Sequence, residues 1–195
     1  DSPTVLSTNL PTATWQPATS LPSVDLSTAT APAHLAYIPL GRIVFTCYIS
    51  GNDEICSMRP NGSDQRQLTS NQATDFYASL SPDGKVIVFS SRRDGRFEIY
   101  KMNLDGGDQT RLTQDIGAAF APAVSPNGRY ILFANDIGPN QTLWIMDING
   151  LNPRSLTHSA SDDIDPIWSP DGLKIAFASS RSGSRQLFVM NADGS

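Results

Sequence analysis

Read from Phe76, the chain alternates short apolar runs with turn residues. The runs cover residues 77–80, 86–89, 97–102 and 110–113, and they are separated by Pro82-Asp83-Gly84, Arg93-Asp94-Gly95 and Leu104-Asp105-Gly106-Gly107. Runs of this length between Gly, Pro and Asp clusters predict four antiparallel strands. The run at 86–89 is apolar without alternation, as expected of a strand buried on both faces. The whole pattern returns every 44 residues: Phe45, Phe89, Phe133 and Phe177 mark one position of the repeat, and Met58, Met102, Met146 and Met190 another. Leu68-Thr69 recurs as Leu112-Thr113 and Leu156-Thr157, and Ser81-Pro82-Asp83-Gly84 as Ser125-Pro126-Asn127-Gly128 and Ser169-Pro170-Asp171-Gly172. A period of this length built from short strands predicts an all-β fold, a β-propeller of four-stranded blades, one blade per repeat.

The blades are expected at about 42–69, 76–113, 120–157 and 165–195. Arg42 to Ser195 holds 3.5 periods, so the ring is incomplete. Blade 1 has no clear innermost strand, because residues 34–40 lack the Ser-Pro-Asp-Gly turn, and blade 4 stops before its last strand. An open arc exposes the apolar flanks of its end blades, so further blades beyond Ser195 are expected, or self-association through the open edges. With the strands lettered A to D outward from the axis, the A–B and C–D turns are nearly invariant. The B–C and D–A links vary and share the opposite face, which makes that face the expected place for function.

Residues 1–33 have a different composition, with seven Thr, five Pro, five Ser, five Ala and no Lys or Arg. Such a segment buries too little apolar surface to fold and is expected to be a disordered stalk or linker. Trp15 is its one candidate for docking. No run of 18 apolar residues and no signal-peptide pattern occurs, so no membrane span is expected in this segment. The net charge of −5 with scattered Lys and Arg excludes a nucleic-acid stripe.

The motif from Asp165 through Trp168-Ser-Pro-Asp-Gly172 to Phe177, followed by Leu187-Phe-Val-Met190-Asn-Ala-Asp-Gly194, resembles the WD-like repeat of the TolB C-terminal β-propeller. The second repeat matches from Ser81 to Arg92 and Glu98 to Asn103, and the third from Ser125 to Phe133 and Leu143 to Asp147. The resemblance implies an extracytoplasmic propeller, periplasmic or cell-surface, that binds other proteins. It equally implies the non-catalytic propeller attached to peptidases of the prolyl-oligopeptidase type or to sensor proteins, whose other domains would lie outside this chain.

No catalytic motif is present, and no cofactor or metal site is expected. His34 and His158 are the only histidines. The acids Asp75, Asp162, Asp163 and Asp165 read either as a weak cation site or as solvated loop acids and backbone caps; blade 3 carries Ala119 and Ala121 at the matching places. With Arg92, Arg93, Arg181 and Arg185 they form the expected contact set for a protein or peptide partner. Arg92, Arg93 and Arg96 also read as a solvated turn. Trp144, Trp168, Phe188 and Tyr100 read as inter-blade core. Cys47 and Cys56 are expected directly opposite each other on a hairpin centred between Gly51 and Asn52. There they form either a disulfide, which would imply an oxidising compartment, or two buried thiols.

Overall fold

The aliphatic and aromatic runs of each repeat form strands, as their composition requires. The computed structural model describes residues 41–195; the expected stalk with its Trp15, and His34 in the segment after it, lie outside the described residues. Four separate antiparallel sheets follow one another along the chain. The first holds β1 (Ile43–Ile49), β2 (Asn52–Met58) and β3 (Arg66–Gln67). The second holds β4 (Asp75–Leu80), β5 (Val86–Ser91), β6 (Glu98–Asn103) and β7 (Thr110–Arg111), and the third β8 (Ala118–Val124), β9 (Tyr130–Asp136), β10 (Thr142–Asp147) and β11 (Arg154–Ser155). The fourth holds β12 (Asp163–Trp168), β13 (Lys174–Ser179) and β14 (Gln186–Asn191). This is an arc of propeller blades with strand order A-B-C-D in the two complete sheets. The A strands β4, β8 and β12 lie side by side along the axis.

Each blade covers the next. Ile55 and Leu68 of blade 1 pack under Ile87, Phe89, Tyr100 and Met102 of blade 2. Val88 and Ile99 of blade 2 pack under Ile131, Phe133 and Met146 of blade 3. Leu132, Leu143 and Ile145 of blade 3 pack under Ile175 and Phe177 of blade 4. The recurrent phenylalanine therefore closes the joint with the preceding blade, and Phe89, Phe133 and Phe177 are fully buried. Phe45 is only half-buried, contrary to its expected place in the core, because among the described residues no blade precedes it. On blade 4 the trailing side chains Leu187 and Val189 are exposed for the complementary reason.

The repeated polar motifs are structural. Ser81 Oγ accepts a hydrogen bond from Val86 N at 2.9 Å and donates to Asp83 Oδ1 at 2.6 Å, and Ser125 and Ser169 do the same in their blades. The Thr of each Leu-Thr pair accepts from the C-strand backbone, with Thr69 on Ile55, Thr113 on Ile99 and Thr157 on Leu143, at 2.8 to 3.0 Å. This side-chain bond replaces ladder pairing, so the D strands are two residues long instead of the four expected. Gly106 and Gly150 of the C–D turns lie against the Leu of the preceding blade. A Cβ there would stand 2.7 Å from the Leu68 carbonyl oxygen and 2.9 Å from that of Leu112, which no side chain tolerates.

The β1–β2 hairpin has the two-residue turn Ser50-Gly51, with φ 55° and 89°, so Ile49 pairs with Asn52, Cys47 with Glu54 and Phe45 with Cys56. Cys47 and Cys56 are diagonal neighbours on one face, not directly opposed, with Cα atoms 5.8 Å apart and their sulfurs joined. The shift from the expected register has a local cause. Asn52 belongs to the strand because its Nδ2 donates to the carbonyl oxygens of Asn71 and Ala73 in the D–A loop.

Candidate functional site

The variable face does not present the predicted charges as an open set. Asp75 and Asp163, at the start of their A strands, are fully buried. Arg93 donates to Asp75 at 3.0 Å, and Arg181 donates to both oxygens of Asp163 at 2.9 Å. Each guanidinium also lies over two rings: Arg93 sits 5.5 Å from the Phe89 centroid and 4.5 Å from that of Tyr100, and Arg181 sits 5.1 and 5.0 Å from Phe177 and Phe188. Their Nε atoms donate to Ser91 and Ser179. These are latches between the start of strand A and the B–C turn of one blade, built from ion pairing and cation–π contact. Blade 3 replaces both partners together, with Ala119 and Ile137 at the equivalent positions. Burial pushes the Asp163 carboxyl up, but hydrogen bonds from Ser179, Arg181, Thr157 and Ser159 outweigh it and hold the group below its ordinary range.

The remaining predicted residues divide. Asp162 Oδ1 accepts from Gln141 N at 3.0 Å and so fastens blade 4 to the B–C loop of blade 3. Arg92, Asp165 and Arg185 are exposed. Arg96 is exposed in its turn and also pairs with buried Glu98 at 3.2 Å. His158 is exposed. Among the described residues no group of three or more His, Cys, Asp or Glu side chains gathers to hold a metal ion.

A different place stands open. Each of the A strands among the described residues carries a β-bulge, between Phe76 and Ser79, Phe120 and Ala123, and Ile164 and Ile167. Its central residue is Tyr77, Ala121 or Asp165, with φ 57°, 52° and 51°, a left-handed conformation that side-chain-bearing residues rarely adopt. The bulges re-aim side chains toward the axis and open a cleft of about 540 Å³ lined by Tyr77, Ala121, Pro122, Asp165, Ile167 and Trp168. Ile167 is 62% and Tyr77 50% exposed. Trp168, expected in the inter-blade core, is only partly there: it packs on blade 3, its Nε1 donates to Ala123 O at 3.1 Å, and it also lines the cleft. Loop variability pointed away from this cleft. The legible signal was that positions 77, 121 and 165 hold Tyr, Ala and Asp while the Ser-Pro turn four residues on hardly changes.

The described arc thus joins blade-by-blade cover, Ser-Pro-Asp-Gly turns and an axial cleft. A family model for the TolB beta propeller domain matches residues 3–135 and 112–195. The chain belongs to the TolB beta propeller domain family. Among solved structures it is similar to the putative TolB from Agrobacterium tumefaciens, at 29% identity and a TM-score of 0.73 over 79% of this chain and 58% of that one. It is also similar to TolB from Acinetobacter baumannii, at 28% identity and a TM-score of 0.69 over 79% of this chain and 39% of that one. A puromycin hydrolase structure, the S511A mutant complexed with PGG, shares the fold at 20% identity and a TM-score of 0.60, covering 79% of this chain and 28% of that one. The chain therefore spans less than two thirds of these TolB chains. No curated protein matches the sequence. No helix among the described residues is long and apolar enough to cross a membrane.

Proposed function

We propose that this TolB-family propeller is an extracytoplasmic, non-enzymatic scaffold that binds a protein or peptide segment in its axial cleft. The observation that carries the reading is the cleft itself: exposed Ile167 and Tyr77 stand beside Trp168 and Pro122 on a rigid wall of A strands. Large apolar side chains left open in a concave, stiff surface favour a partner that brings its own apolar side chains. Asp165 inside the cleft supplies a polar contact, and exposed Arg92 and Arg185 remain candidates for partner contacts on the loop face. The joined Cys47 and Cys56 support an oxidising compartment, since such bridges persist outside the reducing cytosol. The alternative, an accessory propeller of a peptidase, is supported by likeness of fold alone.

Peptides selected from a random display library against the full chain test the proposal. Their amide chemical-shift changes are expected at Tyr77, Ile167 and Trp168, and Ile167→Asp is expected to weaken them at least tenfold, about 1.4 kcal/mol. Peptides that ignore Ile167→Asp but lose affinity with Arg92→Ala or Arg185→Ala would move the binding surface to the loops. A library that yields no binder would end the proposal.

A further inference from the structure

Because the blades are copies of one unit, each serves as a reference for its neighbours, and one difference between blades 1 and 2 has a chemical meaning. In blade 2 the carboxylate of Glu98 is completely buried and paired with two arginines: Arg111 donates to it at 2.7 Å, Arg96 at 3.2 Å and Thr113 Oγ1 at 2.5 Å. Arg111 also pairs with Asp94 at 3.3 Å, and Asp94 accepts from the Tyr100 hydroxyl. The 44-residue register places Glu54 of blade 1 where Glu98 stands. Around it the register replaces Arg96 by Asn52, Arg111 by Gln67, Asp94 by Ser50 and Arg93 by Ile49. Both arginines are gone, and the carboxylate is kept.

Glu54 is 3% exposed. Its hydrogen bonds come from uncharged donors only, Thr69 Oγ1 at 2.6 Å and Asn71 N at 3.0 Å, with the Asn52 amide nitrogen 3.2 Å away. Among the described residues no basic side chain pairs with it. Residues 1–40 contain neither Lys nor Arg that could do so. A buried carboxylate without a cation is costly, and keeping one is informative. The volume that the arginines fill in blade 2 is open here as a polar cleft of about 410 Å³, with Glu54, Ser50, Asn52, Gln67 and Asn71 in its wall. The amide nitrogens of Asn52 and Gln67 are committed to the main-chain carbonyls of Asn71, Ala73 and Thr69. Their oxygens are left as acceptors, with no donor among the described residues.

A carboxylate flanked by two amide oxygens, in a space vacated by two guanidinium groups, is complementary to a guanidinium: planar, permanently charged and rich in donors. We propose that blade 1 receives an arginine side chain of a protein or peptide partner in this cleft, with Glu54 as its counter-ion and Asn52 and Gln67 as orienting acceptors. The site lies on the loop face, apart from the axial cleft. It shares with the reading above only that the partner is a protein or peptide.

The test uses the full chain and two probes of nearly equal shape, N-acetyl-arginine amide and its uncharged counterpart N-acetyl-citrulline amide, titrated to millimolar concentration by NMR. Arginine amide is expected to move the amides of Asn52, Glu54, Gln67 and Asn71, and citrulline amide to leave them in place. Glu54→Gln is expected to weaken the arginine probe at least tenfold. Should Glu54→Gln fail to fold, the double change Asn52→Arg with Gln67→Arg decides. It rebuilds the arrangement of blade 2, is expected to fold, and should lose the probe because the protein's own guanidinium groups occupy the cleft. Equal response to the two probes, no response to either, or undiminished binding in the folded variants would overturn the proposal. Because the probe needs only this cleft, such a failure leaves the axial-cleft reading standing.

Discussion

Phe133→Ala is expected to lower the free energy of unfolding by about 3 to 5 kcal/mol, the range for an aromatic side chain removed from a well-packed core. Phe133 is fully buried in the joint between blades 2 and 3, among Val88, Ile99, Ile131 and Met146. Strands enclose that joint on both sides, so the surroundings cannot collapse into the space left behind. The equivalent change at the first register position, Phe45→Ala, is expected to cost less, because burial energy scales with the area removed from water and Phe45 is only partly buried. Denaturant titration reads both: the midpoint should fall strongly for Phe133→Ala and slightly for Phe45→Ala, with the slope unchanged in each. Equal losses would mean that the two side chains share one environment, which the joints described above exclude.

The second large effect concerns the latch of blade 4. Arg181→Ile removes the cation and the two hydrogen bonds that Arg181 donates to Asp163, while the carboxylate stays buried. Breaking a fully buried pair from one side costs about 3 to 5 kcal/mol, but the Arg181 side chain is 37% exposed and solvent screens it, so about 2 kcal/mol is expected. The double change Asp163→Ala with Arg181→Ile copies the Ala119 and Ile137 of blade 3 and is expected to stay within about 1 kcal/mol of the native chain, since no charge is left stranded. Asp163 titrates below its ordinary range in the folded chain. A group so depressed contributes stability above its unfolded value, near 4, and loses it as pH falls through the folded value. The advantage of the native chain over the double variant should therefore shrink as the solution is acidified below about pH 4. An advantage that grew on acidification would mean that the carboxyl is held protonated.

Much of the fold was legible because each blade buries its neighbour with the same residues, so the Phe and Met registers had to recur together. Strand D was overestimated because Thr69, Thr113 and Thr157 look like strand residues by propensity, yet they spend their hydroxyls on the C-strand backbone. The hairpin register of blade 1 was misjudged by one residue on each strand because the two D–A loop carbonyls that hold Asn52 in the strand are invisible to local spacing. At the candidate site the limit was different. Arg93 and Arg181 read as exposed loop charges, although Asp75 with Arg93, Ala119 with Ile137 and Asp163 with Arg181 change in concert, the signature of a packed pair. The axial cleft depends on left-handed backbone at Tyr77, Ala121 and Asp165, which no propensity of those residue types announces. The blade 1 cleft was written in the repeat all along, as Glu54 without the arginines of its counterpart.

Amide hydrogen exchange on the folded chain tests the stacking of repeated blades most directly. The slowest-exchanging amides should fall in β5 and β9, the B strands covered on both faces, at positions 44 residues apart, while β1, β13 and β14 at the open flanks exchange faster. Protection without that spacing, or strongest in the flanking strands, would contradict a propeller arc built from mutually covering blades.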